Sequence, residues 1–144
     1  MITKEQKINK YCCLYVSDFH LEMILLPFIK NKIKESKILI YTQSDLLGTL
    51  KVLLTRTNLS YENKRNILKI ENWNNKIYKN INHEDTSEYT VIINGNDEYR
   101  KMIKKGLKNL NIKNIVDCYN LNDSNIQKNK IKNKYNGILN TGII

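Results

Sequence analysis

The chain has no alanine, one proline, five glycines, three arginines and two histidines among its 144 residues. Each scarcity excludes something. The glycines form no Gly-x-Gly-x-x-Gly after a strand, no Gly-Lys-Ser/Thr phosphate loop and no Gly-x-Ser-x-Gly turn. Close backbone approach to a pyrophosphate and a strained nucleophile elbow are therefore not provided for, and no cofactor motif is present. The histidines, His20 and His83, are too few for a multi-histidine metal centre. Cys12, Cys13 and Cys118 are odd in number and lack Cys-x-x-Cys spacing. Lying in apolar runs, they read as reduced, buried thiols. The longest near-continuous apolar run, Met23 to Ile29, is far too short to cross a bilayer. The opening MITKEQKINK has no apolar signal core. A cytoplasmic protein without membrane contact is the expectation.

What is abundant is lysine. The formal charge is +10, with 24 basic and 14 acidic side chains. Lysine, asparagine and isoleucine dominate, and their codons are A/T-rich, whereas alanine needs G/C. Coding bias in an A/T-rich genome thus accounts for much of the excess. Arg56, Arg65 and Arg100 are the only arginines. Scarcity of the residue best suited to bidentate reading of guanine and phosphate weighs against a specific DNA reader. The distribution is uneven: residues 1–97 carry a net +3 and residues 98–144 a net +7.

Four short runs, Tyr11–Val16, Lys37–Gln43, Tyr89–Asn94 and Lys113–Tyr119, are continuously apolar and rich in β-branched and aromatic residues. Strands buried on both faces of a parallel sheet read this way. Segments with helical spacing lie between them. The first, Asp18 to about Glu35, contains Pro27, which predicts a kink or break. Ser44 is the expected N-cap of a second helix, with a stripe of Leu46, Leu47, Leu50, Leu53 and Leu54 and an end at Asn58. Ser60 caps a third reaching about Ile70, with Ile67 and Leu68 turned inward. Residues 72–88 read as an irregular connection with a short strand near Ile77. A fourth helix carries Tyr99, Ile103, Leu107 and Leu110 on one face, and a fifth is expected from about Asn125 to Tyr135. The expectation is α/β: a single Rossmann-like three-layer domain over 1–144, about four mostly parallel strands with helices on both faces.

In such sheets ligands bind beyond the carboxyl ends of the strands. The candidates there are Ser17, Asp18 and His20, then Gln43, Ser44 and Asp45, then Asn94, Asn96 and Asp97, and finally Asn120. Ser, Asp and Asn are also the commonest helix caps, which is the competing reading at every one of these positions. Asp117, inside a buried strand, has to be paired or lie at the strand end.

Val16–His20, VSDFH, resembles the first motif of the calcineurin-like metallophosphoesterases. TQSDLLG at 42–48 and INGNDEY at 93–99 resemble two later segments of that family, in the same order. The resemblance implies one metal on Asp18 and His20, a bridging Asp45 and a second metal on Asn96. Asp97 replaces the family's histidine, and His83 is the last histidine in the chain. A two-metal centre is not expected, and no metal is assigned.

Three functions follow as expectations. The first is a small non-enzymatic module binding a small molecule or protein partner at the carboxyl ends of its strands. The second is a small hydrolase or phosphotransferase, degenerate with respect to that family, using Asp18, His20 and Asp97. The third is nonspecific nucleic-acid binding through a polyanion-binding face of Lys101, Lys104, Lys105 and Lys108, joined by Lys128, Lys130, Lys132 and Lys134. Self-association into a homo-oligomer stays open.

Overall fold

A computed structural model describes residues 7–74, 87–122 and 134–139. In chain order its elements are β1 (Asn9–Tyr15), α1 (Asp18–Lys32), β2 (Lys37–Thr42), α2 (Leu47–Thr55) and α3 (Tyr61–Leu68). They continue with β3 (Tyr89–Asn94), α4 (Asp97–Gly106), β4 (Ile112–Asn120) and β5 (Gly137–Leu139). The five strands form one sheet in the order β2-β3-β4-β1-β5, and every pairing is parallel. All six residues of β3 are buried. That is why its sequence is apolar without alternation.

The sheet is the middle of three layers. On one face α1, α2 and α3 pack over Cys13, Tyr15, Ile40, Ile92, Val116 and Cys118. On the other, Ile103 and Leu107 from α4 and its following turn pack on Tyr41, Val91, Ile93 and Ile115. All three cysteines are buried and none is in a disulfide.

Pro27 does not break α1, which is continuous from Asp18 to Lys32. Pro27 and Met23 are both exposed, so the carbonyl left without a donor lies on the solvent side. A helix-interior proline costs about 3 kcal/mol. Leu21, Ile24, Leu25, Leu26 and Ile29 all bury on the sheet side of the same helix. At about 1.5–3 kcal/mol each, their burial outweighs that cost.

Ser44 is not the cap of α2. The helix starts at Leu47 with Leu46 as N-cap, and Asp45 Oδ1 accepts from the Leu47 amide at 3.0 Å. The Ser44 hydroxyl is engaged elsewhere, by Asn94. The helix also ends at Thr55, short of Asn58. Ser60 does cap α3, accepting from the Asn63 amide at 3.1 Å. Within α3, Ile67 is buried but Leu68 is 40% exposed, because the two lie about 100° apart on the helix. Asn72 then takes a left-handed φ of 76°, a conformation asparagine tolerates, and Trp73 enters the core.

Lys134 to Asn136 form a turn rather than the end of a helix, and β5 follows as a short edge strand beside β1. The expected strand near Ile77, His83, the body of the fifth helix and Lys128, Lys130 and Lys132 lie outside the described residues.

Candidate functional site

Three strand ends are tied together on the face covered by α1 and α2. Tyr15, the last residue of β1, donates its hydroxyl to Asn94 Oδ1 at 2.7 Å. The two residues sit on strands separated by β4. Asn94 is registered with Cys118 of β4, and Cys118 with Cys13 of β1. The small thiol at Cys118 lets the tyrosine reach across. Asn94 Nδ2 donates to Thr42 Oγ1 at 3.0 Å and to Ser44 Oγ at 3.2 Å. Thr42 donates in turn to the Ser44 carbonyl at 2.8 Å. Tyr15, Thr42 and Asn94 are buried, so this hub is a set of satisfied polar groups holding the ends of β1, β2 and β3 in place. Burial pushes the Tyr15 phenol up to about 12, with the Cys118 thiol adding to the effect, so it stays a neutral donor.

Above the hub, Gln43 Oε1 accepts from the Asn96 amide at 2.7 Å, and Asn96 Oδ1 caps α4 by accepting from the Tyr99 amide at 2.8 Å. Gly95 lies between them. A Cβ there would stand 2.5 Å from both Gln43 Oε1 and Tyr99 Cδ2. Gly95→Ala is therefore expected to displace the Gln43 side chain, weaken its bond to Asn96 and lower stability by about 1–2 kcal/mol. Urea denaturation measures the loss, and amide shifts at Gln43 and Asn96 locate it.

At the end of β1, Ser17 caps α1 by accepting from the His20 amide at 3.2 Å. His20 Nδ1 accepts from the Val16 amide at 3.0 Å, and Asn122 Nδ2 donates to the Val16 carbonyl at 2.9 Å. The imidazole is folded back on its own turn. Asp18, in the first turn of α1, is not the cap. Ser44 and Asn94 thus meet directly, Gln43 meets the Asn96 backbone, and Ser17 meets His20. The last pair stands at β1, two strand spacings or about 10 Å from β3. Among the described residues no three His, Cys, Asp or Glu side chains group to hold a metal.

Arg100 was not a sequence candidate and is central. It is buried, pairs with Asp97, donates to the Gly95 carbonyl and reaches the Cys118 carbonyl at 3.5 Å. Its guanidinium carbon lies 4.0 Å over the Tyr119 ring. The signal was present: Arg100, Ile103 and Leu107 share an i, i+3, i+7 stripe. Of the lysine face, Lys101, Lys105 and Lys108 are exposed on the outer side of the α4 region. Lys104 instead reaches Asp117 Oδ2 at 2.6 Å, and Tyr135 donates to the same oxygen at 2.5 Å. The tyrosine's proton being used there, Tyr119 donates to Tyr135 at 2.6 Å. Burial, reinforced by that bond to Asp117, drives the Tyr135 phenol far up. Asp117 is thus paired, as its place in a buried strand requires.

The carboxyl edge is acidic in an otherwise basic protein. Asp18, Asp97 and Glu98 occupy the first turns of α1 and α4, and Asp45 precedes α2. They offset the positive ends of these helices and disfavour a bound anion. A cavity of about 640 Å³ lies elsewhere, beside Lys37–Leu39 of β2 and residues 69–72 after α3. It takes in none of the predicted site residues. No helix among the described residues is long and apolar enough to cross a membrane. Comparison with family models, with curated proteins and with solved structures finds no match, so the site is read from its own residues.

Proposed function

We propose that the chain is a non-enzymatic binding module taking a small polar ligand without net negative charge at the carboxyl edge. The contacts come from Gln43, Ser44 and the loop of Gly95 and Asn96, above the buried Asn94. The carrying observation is the Tyr15–Asn94–Thr42–Ser44 hub, which holds three strand ends rigid beneath the exposed Gln43 and Asn96. A site held in place before binding loses less freedom on taking a ligand. Asp18, Asp45, Asp97 and Glu98 along this edge select against phosphate and carboxylate groups. The state of the reactive groups favours binding over catalysis. Tyr15 is held protonated, burial pushes the Cys118 thiol well up, and His20 Nδ1 is used by a backbone amide.

The test is a fragment screen on the full chain, read by amide shifts. Neutral and cationic polar fragments should move Gln43–Asp45 and Gly95–Asp97, and Gln43→Ala should weaken the hits about tenfold, the worth of one good hydrogen bond. Binding confined to other surfaces, or a preference for inorganic phosphate at this edge, would overturn the reading.

A further inference from the structure

Glu22 is a carboxylic acid in the wrong place for a carboxylate. It sits in the second turn of α1, fully buried in the seam with α2. Its Oε1 has no hydrogen-bond partner, and its Oε2 meets only the hydroxyl of Thr49, at a short separation. Thr49 Oγ1 is also 3.2 Å from the Leu46 carbonyl, which accepts from it. A hydroxyl has one proton to give. The Leu46 carbonyl also takes the Leu50 amide at 2.9 Å, so an ionised Glu22 could draw that proton to Oε2, but its Oε1 would remain a buried charged oxygen with no donor. With Glu22 protonated, its O–H donates to Thr49 Oγ1 and Thr49 donates to Leu46, and both are satisfied.

The surroundings agree. Burial pushes the Glu22 carboxyl up to about 7; a hydroxyl donated by Thr49 to the carboxylate would oppose the shift, and Asp18, one turn earlier, adds to it. The elements packed on α1 bring Lys51 on α2 and Glu62, Lys64 and Arg65 on α3. From the sheet come Lys10, Tyr11, Cys13 and Tyr15 of β1 and Lys37 and Tyr41 of β2, and β5 has no titratable side chain. Among the described residues none of these forms an ion pair or hydrogen bond with Glu22.

We propose that Glu22 is a proton-operated latch. Protonated, it fastens α1 through Thr49 to the first turn of α2; ionised, it puts an unsolvated charge into an apolar seam and loosens that turn. The turn follows directly on Ser44 and Asp45, so the latch sets the order of one wall of the carboxyl edge. It does not depend on what binds there.

The direction of the pH effect follows from the raised carboxyl. Folded Glu22 retains its proton up to about 7, whereas the unfolded group loses it near 4.5. Its contribution to stability is complete below 4.5, falls as pH rises from there to about 7, and is gone above. At a tenfold change per pKa unit, the unfolding constant should rise by roughly two orders of magnitude across that window. Glu22→Gln keeps the shape and a donor toward Thr49 but cannot titrate.

Urea denaturation of the full chain from pH 4.5 to 8 should show this rise in the wild type and not in Glu22→Gln. Protection factors at the Leu47–Leu50 amides should fall over the same range only in the wild type. Carboxyl-carbon NMR should give Glu22 a midpoint near 7, moved lower by Thr49→Val, which removes the acceptor of the protonated acid, and left in place by Thr49→Ser. A midpoint below about 5, the ordinary carboxylate range, overturns the proposal. So do identical pH profiles for wild type and Glu22→Gln, or a midpoint indifferent to Thr49→Val. The Thr49 variants decide the matter even where Glu22→Gln does not fold.

Discussion

Replacing Trp73 by alanine is expected to lower folding stability by about 3–5 kcal/mol. Trp73 is the only tryptophan, 2% exposed, and belongs to the core that joins α1, α2 and α3 to the sheet. Its indole Nε1 donates to the Ile67 carbonyl at 3.0 Å, and its own carbonyl accepts from the Leu46 amide at 2.7 Å. The residue therefore links the end of α3, through its side chain, to the start of α2, through its backbone. Trp73→Phe should cost much less, about 1–2 kcal/mol, since most of the volume stays. The Ile67 carbonyl also keeps the Ile70 amide at 3.2 Å. Chemical denaturation followed by circular dichroism measures both variants, since fluorescence is lost with the tryptophan. A smaller loss for alanine than for phenylalanine would mean that this core does not depend on Trp73.

The second large effect concerns Asp117, and its two sides should be unequal. Asp117 is almost fully buried, whereas the Lys104 side chain is 41% exposed. Removing the lysine leaves a carboxylate that water cannot reach, held by Tyr135 alone. Removing the carboxylate leaves an ammonium that can turn into solvent. Breaking a buried pair costs about 3–5 kcal/mol, and partial exposure of this one reduces the figure. Lys104→Met is expected to cost about 2 kcal/mol. Asp117→Asn, which still accepts from Tyr135 and Lys104, should cost about 1 kcal/mol. The double variant Lys104→Met/Asp117→Asn should be no worse than Lys104→Met alone. A double-mutant cycle by urea denaturation checks the order, and a larger loss for Asp117→Asn than for Lys104→Met would refute it.

The candidate site was legible in part. Ser17, Ser60 and Asn96 are caps because each lies just before a helical period, and capping is settled within four residues. Ser44 had the same local credentials and lost the role. Its hydroxyl meets Asn94 from 50 residues away, a contact that no local pattern announces. His20 two residues after Asp18 resembled a metal motif, yet Nδ1 turns back to the Val16 amide four residues earlier. Arg100 looked like one more cation on a basic helix, and its place on the apolar stripe was the overlooked signal.

The sequence by itself determined the α/β class, the four principal strands and their parallel character. Continuous β-branched runs separated by helical periods have to be buried on both faces, whatever their order. It also determined that Asp117 had to be paired or lie at the strand end, and the structure decided for pairing. Only the tertiary structure decided the order β2-β3-β4-β1-β5 and the partners that follow from it. Tyr15 meets Asn94 across 79 residues, Glu22 meets Thr49 across 27 and Lys104 meets Asp117 across 13. Strand order is set by the global packing of helices on two faces, whereas hydrophobic period and capping are local. The scaffold of the site was thus written in short segments, and its chemistry in contacts between segments far apart in the chain.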